Sequence, residues 1–273
     1  MIRLFALEWL KLKNYKVFWI LFALYFLGLF IVCSGGMFLL EFIKSKGGDF
    51  KGIDPTIIPL YDFPDVWQNI TYVATFFKLF LAFIVIISIC NEINYRTLRQ
   101  NIIDGLSKRE FLISKLNLII SLSALATIFL FLIGFILGMI YSKVRSVDVI
   151  FSELEFLPAY FLEVCTFLSL AFLLSILIKK SGFVIVLLFM YTLIFEPIFT
   201  SILVHAPFIP DSLEKTAPFF PIRSLNNLIR VPFQKYVFMK IQDYVAWIDI
   251  YIVTGWLIIY NMLILLILKK RDV

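Results

Sequence analysis

Six separate apolar runs constrain this chain more than anything else in it. They lie at about 17–40, 70–90, 116–141, 156–178, 183–204 and 248–268. A helix rises ~1.5 Å per residue, so roughly 20 such residues match the ~30 Å hydrocarbon core of a bilayer. With 62% hydrophobic residues and 31 phenylalanines in 273 positions, no soluble fold could hide the apolar surface. The sequence therefore predicts an all-α integral membrane protein with six transmembrane helices. Lys78 stands inside the second run and Pro197 interrupts the fifth.

Orientation follows from the Lys and Arg tally. Six spans place both termini on one side, together with the connectors 91–115 and 179–182. That side carries fourteen Lys and Arg against five Asp and Glu; the other carries ten against eleven. Basic residues in short loops stay in the cytosol, so both termini are expected there. The net charge of +6 is then a topology signal, with no separate reason to invoke nucleic acid. Residues 1–16 read as an amphipathic helix before the first span. Ile2, Phe5, Trp9 and Leu12 share one face, and Arg3, Glu8, Lys11 and Asn14 the opposite one. Such a helix lies in the membrane interface, touching lipid headgroups, or forms an elbow against the cytosolic connector. No cleavable signal peptide is expected, because the first apolar run is long enough to remain as a span.

The connector 91–115, NEINYRTLRQNIIDGLSKREFLISK, is too structured for a simple loop. Gly105 can end a short helix in the left-handed conformation that glycine adopts at least cost. Ser107 can then cap a new helix, with Glu110 completing a capping box and Leu106 and Phe111 forming a hydrophobic staple. The reading is a short helix presented to a partner in the cytosol. On the opposite side, the loop at 205–247 carries five prolines, with short helices expected at 211–214 and 224–229.

Enzymatic constellations are missing. The single histidine, His205, argues against histidine metal sites and Ser-His-Asp triads. No G-x-x-x-x-G-K-[ST] or G-x-G-x-x-G sequence occurs, so no nucleotide loop is expected on this chain. Cys33, Cys90 and Cys165 lie in or at the ends of spans and read as packing residues, without a disulfide or metal. Three charges lie deep inside spans. Counted from the cytosolic helix ends, Lys78, Glu196 and Glu163 lie about 21, 20 and 24 Å deep, in one layer. An intramembrane charge needs a partner, and the depth match favours Glu196 for Lys78. Pro197 should kink or break the fifth span.

The connector resembles the permease subunits of type-two ABC exporters, the type V exporter fold. The match rests on Glu92, Thr97, Arg99, Gly105, Ser107, Arg109 and Lys115. In that pattern Glu closes the second span, Thr-x-Arg follows, and a turn with Ser and Arg leads to a Lys opening the third. The resemblance implies one permease domain over 1–273, with an elbow helix at 1–16, a coupling segment at 91–115 and a large outer loop at 205–247. Helices between spans five and six would be re-entrant or interfacial. It further implies docking of a separate cytosolic ATPase through Glu92, Arg96, Thr97, Arg99, Asp104, Gly105 and Arg109. That ATPase would hold ATP and magnesium, and this chain no cofactor of its own. A second permease, alike or different, would complete the transporter in a bacterial cytoplasmic membrane. The family moves lipids, glycolipids, antibiotics and peptides, or transmits mechanical work. An ion-coupled secondary transporter using Lys78, Glu163 and Glu196 is the alternative, though no internal repeat supports it.

Overall fold

The computed structural model describes residues 2–46, 60–205, 210–232 and 244–270, and these are helical with no strand among them. The chain opens with α1 (Ile2–Lys13) and turns at once into α2 (Lys16–Ser45), the first span. The second span is two helices, α3 (Val66–Thr75) and α4 (Lys78–Asn94), bent by 43° at Phe76 and Phe77. The short α5 (Thr97–Ile103) leads into α6 (Lys108–Tyr141), the third span. After α7 (Val147–Phe151) comes the fourth span, α8 (Phe156–Ile178). The fifth is α9 (Ser181–Met190), a π-helical turn at Tyr191–Phe195, and α10 (Glu196–His205). Outside it lie α11 (Asp211–Glu214), a 3₁₀ turn at Ala217–Phe219 and α12 (Pro221–Leu228), followed by the sixth span, α13 (Trp247–Lys270). Five helices are long and apolar enough to cross a membrane singly, and the bent pair α3 and α4, taken as one span, brings the number to six. Much of the first outer loop, at 47–59, lies outside the described residues.

The fourth span is the core of the bundle. In the most apolar stretch of Val147–Ile178, 72% of residues are buried, against 22% in that of Lys16–Phe38 and 17% in that of α13. It packs on α3, α4, α6, α9, α12 and α13. A helix enclosed in this way can carry hydroxyls only if they bond internally. Thr166, Ser169 and Ser175 do so, each donating to the carbonyl four residues back at 2.7 to 2.9 Å. Tyr160 of the same helix meets Tyr25 of α2 through their hydroxyls at 2.6 Å. The second span is pinned to α7 by the Trp67 indole, which donates to the Ile150 carbonyl at 2.8 Å. Cys33, Cys90 and Cys165 are free and buried.

Two expectations about the spans need correcting. The second span is not one rod from Ile70 to Cys90: it starts at Val66 and bends just before Lys78. No proline or glycine sits at the bend. The Phe77 ring instead lies against Gly28 of α2, where an added Cβ would stand 2.7 Å from it. The fifth span is not broken at Pro197. A proline ring clashes with the carbonyl four residues earlier and removes a donor. Here the turn just before it widens into the π-helix at Tyr191–Phe195, and helix resumes to His205. A π turn of this kind inserts within a helix without ending it.

Candidate functional site

The connector after the second span builds a short helix held at both ends. Arg96 enters α5 in a left-handed conformation with φ of 57°, and Gly105 leaves it with φ of 99°. Ser107 then caps α6: its hydroxyl accepts from Glu110 N at 3.1 Å, and Glu110 Oε2 accepts from Ser107 N at 2.8 Å. Phe111 is buried and Leu106 packs beside the core, as a staple requires. Leu98 and Ile102 turn α5 toward the protein. Arg96, Arg99 and Ile103 follow one another at intervals of three and four residues, so they share its outer face. Ile103 is 70% exposed and the preceding Tyr95 is 76% exposed. Thr97, Asp104 and Arg109 are exposed as well. The Thr97 hydroxyl donates to the Glu92 carbonyl at 3.1 Å, fastening α5 to the end of α4.

Behind this helix lies a buried ion cluster. Lys115 of α6 is fully enclosed, with Nζ at 2.6 Å from Glu8 Oε2 and 2.5 Å from Glu92 Oε1. Its third donor reaches Ser88 Oγ at 3.3 Å. Lys11 bridges the same two carboxylates, 3.3 Å from Glu8 and 3.2 Å from Glu92. Ser114 donates to Glu8 at 3.0 Å. Two carboxylates and two ammonium groups therefore balance, and three elements, α1, α4 and α6, are joined at one point. Burial pushes the Glu8 carboxyl up, but Lys115 and Lys11 outweigh it and hold it below its ordinary 4.5. Burial likewise works against the charge on Lys11, and Glu92 and Glu8 overcome it, holding the ammonium above 10.5.

The cluster corrects two readings of the sequence. Glu92 is grouped there with the docking residues, whereas it is 6% exposed and spent on internal ion pairs. Glu8 is placed on the outer polar face of the first helix, yet it is 3% exposed and points inward with Leu12, while Trp9 is 44% exposed. Burying a carboxylate is tolerable only with a paired charge, and Lys115 supplies it. The repeating pattern within α1 holds no trace of a lysine more than a hundred positions away.

The profile of the ABC-2 family transporter protein matches residues 4–195. The chain belongs to that family. A search of curated proteins finds no significant match. As an ABC-2 family member it is the membrane permease of an ABC transporter, a multi-pass transport component that is not itself a catalytic enzyme. The family implies association with an ABC ATPase. The matched stretch of this ABC-2 permease includes α5 and the whole ion cluster.

The three intramembrane charges are arranged differently from the sequence reading. Lys78 pairs with Glu163 at 2.5 Å, both side chains being buried, and lies over the Phe167 ring at 5.1 Å. Glu196 is not its partner. That carboxylate accepts from Arg223 N at 2.8 Å. Arg223 is the third residue of α12, whose own capping residue, Phe220, has no side chain able to bond the free amides. Glu196 thus caps a helix from a distance, its charge stabilised by the helix dipole. Among the described residues no hydrogen bond links Glu196 to Lys78 or Glu163. The three charges serve two separate structures. A cavity of about 990 Å³ opens beside them, between the second and fifth spans and the outer helices.

Proposed function

We propose that α5 is the coupling helix on which a separate cytosolic ABC ATPase docks, and that this chain carries the transmembrane work that ATP hydrolysis drives. One observation carries the reading: a short helix with Arg96, Arg99 and Ile103 on its free face rests on a buried, charge-balanced cluster. Docking needs a surface that can be gripped, and force transfer needs one that cannot slide. The exposed cations and apolar tips supply the first. Lys115 supplies the second, because it staples the two ends of the connector to each other and to α1. The groove that receives α5 would offer acidic groups and an apolar pocket. ATP and magnesium belong to the ATPase, and the chain binds neither. A second permease, identical or not, completes the transporter, and both termini face the cytosol of a bacterial cytoplasmic membrane. The 1–273 chain acts as one permease domain, moving an amphiphile or passing mechanical work to a partner.

Charge reversal tests this. Arg96→Glu, Arg99→Glu and Arg109→Glu should each insert normally, and copurification of the ATPase should fall, most in the triple variant. Copurification and stimulated ATP hydrolysis that are unchanged in the triple variant would overturn the docking assignment.

A further inference from the structure

The fourth and sixth spans run in the same direction and begin together. Glu155, at the head of α8, accepts from Val245 N at 2.7 Å, two residues before α13 opens. The helices have 23 and 24 residues, so they also end level. A buried stripe of Val253, Tyr260, Ile264 and Leu268 keeps α13 packed down to its last turn. A pair of exposed lysines closes each helix, Lys179 and Lys180 after α8, Lys269 and Lys270 in α13. Packed helices lie roughly 8–10 Å apart, so the four ammonium groups share one patch. None of them has an ion pair among the described residues. The carboxylates of this end are engaged elsewhere. Glu8 and Glu92 hold Lys11 and Lys115, Glu110 holds the Ser107 amide, and Asp104 accepts from Gln100 at 3.2 Å. Arg271 and Asp272, next in the sequence, cancel. Topology asks only for basic residues at this end, not for four side by side. Below the lysines the surface is apolar and exposed, with Leu177 on α8 and Met262 and Leu266 on α13.

We propose that this patch holds a membrane lipid whose headgroup carries two phosphates, one for each lysine pair, with acyl chains along Leu177, Met262 and Leu266. Lysine stems lie on apolar surface and raise their ammonium groups to headgroup level. Basic pockets between the ends of spans gather doubly charged headgroups for this reason. A protein partner would need an acidic surface that reaches the hydrocarbon edge, whereas a lipid already brings its charge there. Lys179 is left-handed, with φ of 65°, at a helix end where glycine would sit with less strain. The proposal is separate from ATPase docking, since binding is measured on the permease alone.

Three lipids with matched acyl chains separate the possibilities. Cardiolipin carries two phosphates, phosphatidylglycerol one negative phosphate, and phosphatidylcholine no net charge. Titrated onto the purified permease and followed by native mass spectrometry, cardiolipin should bind saturably, at one per chain, at least tenfold more tightly than either other. Lys179→Gln with Lys180→Gln, and Lys269→Gln with Lys270→Gln, should each cut that preference severalfold. Lys13→Gln with Lys16→Gln removes the same charge at the same end and should leave it in place. Lys179→Gly removes one charge and relieves the left-handed strain. It should therefore weaken cardiolipin binding while shifting the unfolding midpoint in lipid-free detergent upward, a pairing that a purely structural lysine would not give. Equal binding of cardiolipin and phosphatidylglycerol would overturn the two-phosphate assignment. An equal loss in the Lys13 and Lys16 variant would reduce the effect to net charge. A preference that survives in both other double variants, with ATPase copurification lost instead, would assign the patch to the ATPase.

Discussion

Lys115 decides more than any other single residue, because it is enclosed and answers two carboxylates. Removing one partner of a buried ion pair typically costs about 3–5 kcal/mol, since the opposite charge is left stranded. Lys115→Met leaves Lys11 alone to answer both Glu8 and Glu92, so one buried carboxylate is uncompensated and stability in detergent should fall by that order. Adding Glu92→Gln should recover much of the loss, because the one carboxylate left, Glu8, is then paired with Lys11. The cluster also sets an acid limit. Glu8 is held below its ordinary value in the fold, so its contribution is complete above about pH 4.5 and fades as pH falls through the lowered value. Lys11 works the other way: its contribution is present below 10.5 and is lost as pH rises through the raised value. Unfolding midpoints measured from pH 7 downward should show an acid decline that is shallower in Glu8→Gln than in the parent. Little of this was legible beforehand. The Ser107 capping box could be read directly, because its partners are three residues apart. Glu8 and Lys115 are 107 positions apart, and only the packing of α1 on α6 brings them together.

At the scale of elements, the connector was the most legible part of the chain. Glycine, serine and glutamate at fixed offsets specify a helix end, a turn and a helix start, and each appears where those residues stand. Gly105 has φ of 99°, a region an L side chain enters only with strain. A left-handed conformation costs a β-carbon-bearing residue roughly 1–2 kcal/mol, so Gly105→Val should lower stability by that order. If α5 docks the ATPase, the same variant should reduce stimulated hydrolysis more than its stability loss explains, because the helix end is displaced. The fifth span shows the opposite case. Pro197 was visible and its disruptive chemistry known, but the outcome was a widened turn at Tyr191–Phe195 instead of a break. A proline states that one hydrogen bond is missing; the neighbours that repack around it decide the shape. The bend in the second span left no mark at all, since Phe76 and Phe77 are ordinary span residues.

Across the whole molecule, the number of spans followed from apolar length alone, whereas their arrangement did not. Six runs of similar hydropathy give no sign that α8 is the one enclosed by the others. Depth counting put Lys78, Glu163 and Glu196 in one layer, but the direction each faces around the bundle chose the partners. The Lys78–Glu163 pair fastens α4 to that central helix, so it belongs to assembly of the bundle as a whole. Lys78→Glu with Glu163→Lys should retain more folded, monodisperse protein after purification than either single substitution, each of which buries two like charges. Size-exclusion profiles of the three variants provide the comparison.

The joint at Phe76 and Phe77 gives the second span the geometry of a lever. Its inner arm has 17 residues and its outer arm 10, or about 25 Å and 15 Å at the helical rise. Gly28 lies at the fulcrum, where its missing side chain lets the Phe77 ring bear directly on the first span. A stiff lever pivoting there would return about three-fifths of the travel of its inner end at its outer one, in the reverse direction. A push at the α5 end would then arrive at the cavity beside α3 reduced in distance and increased in force.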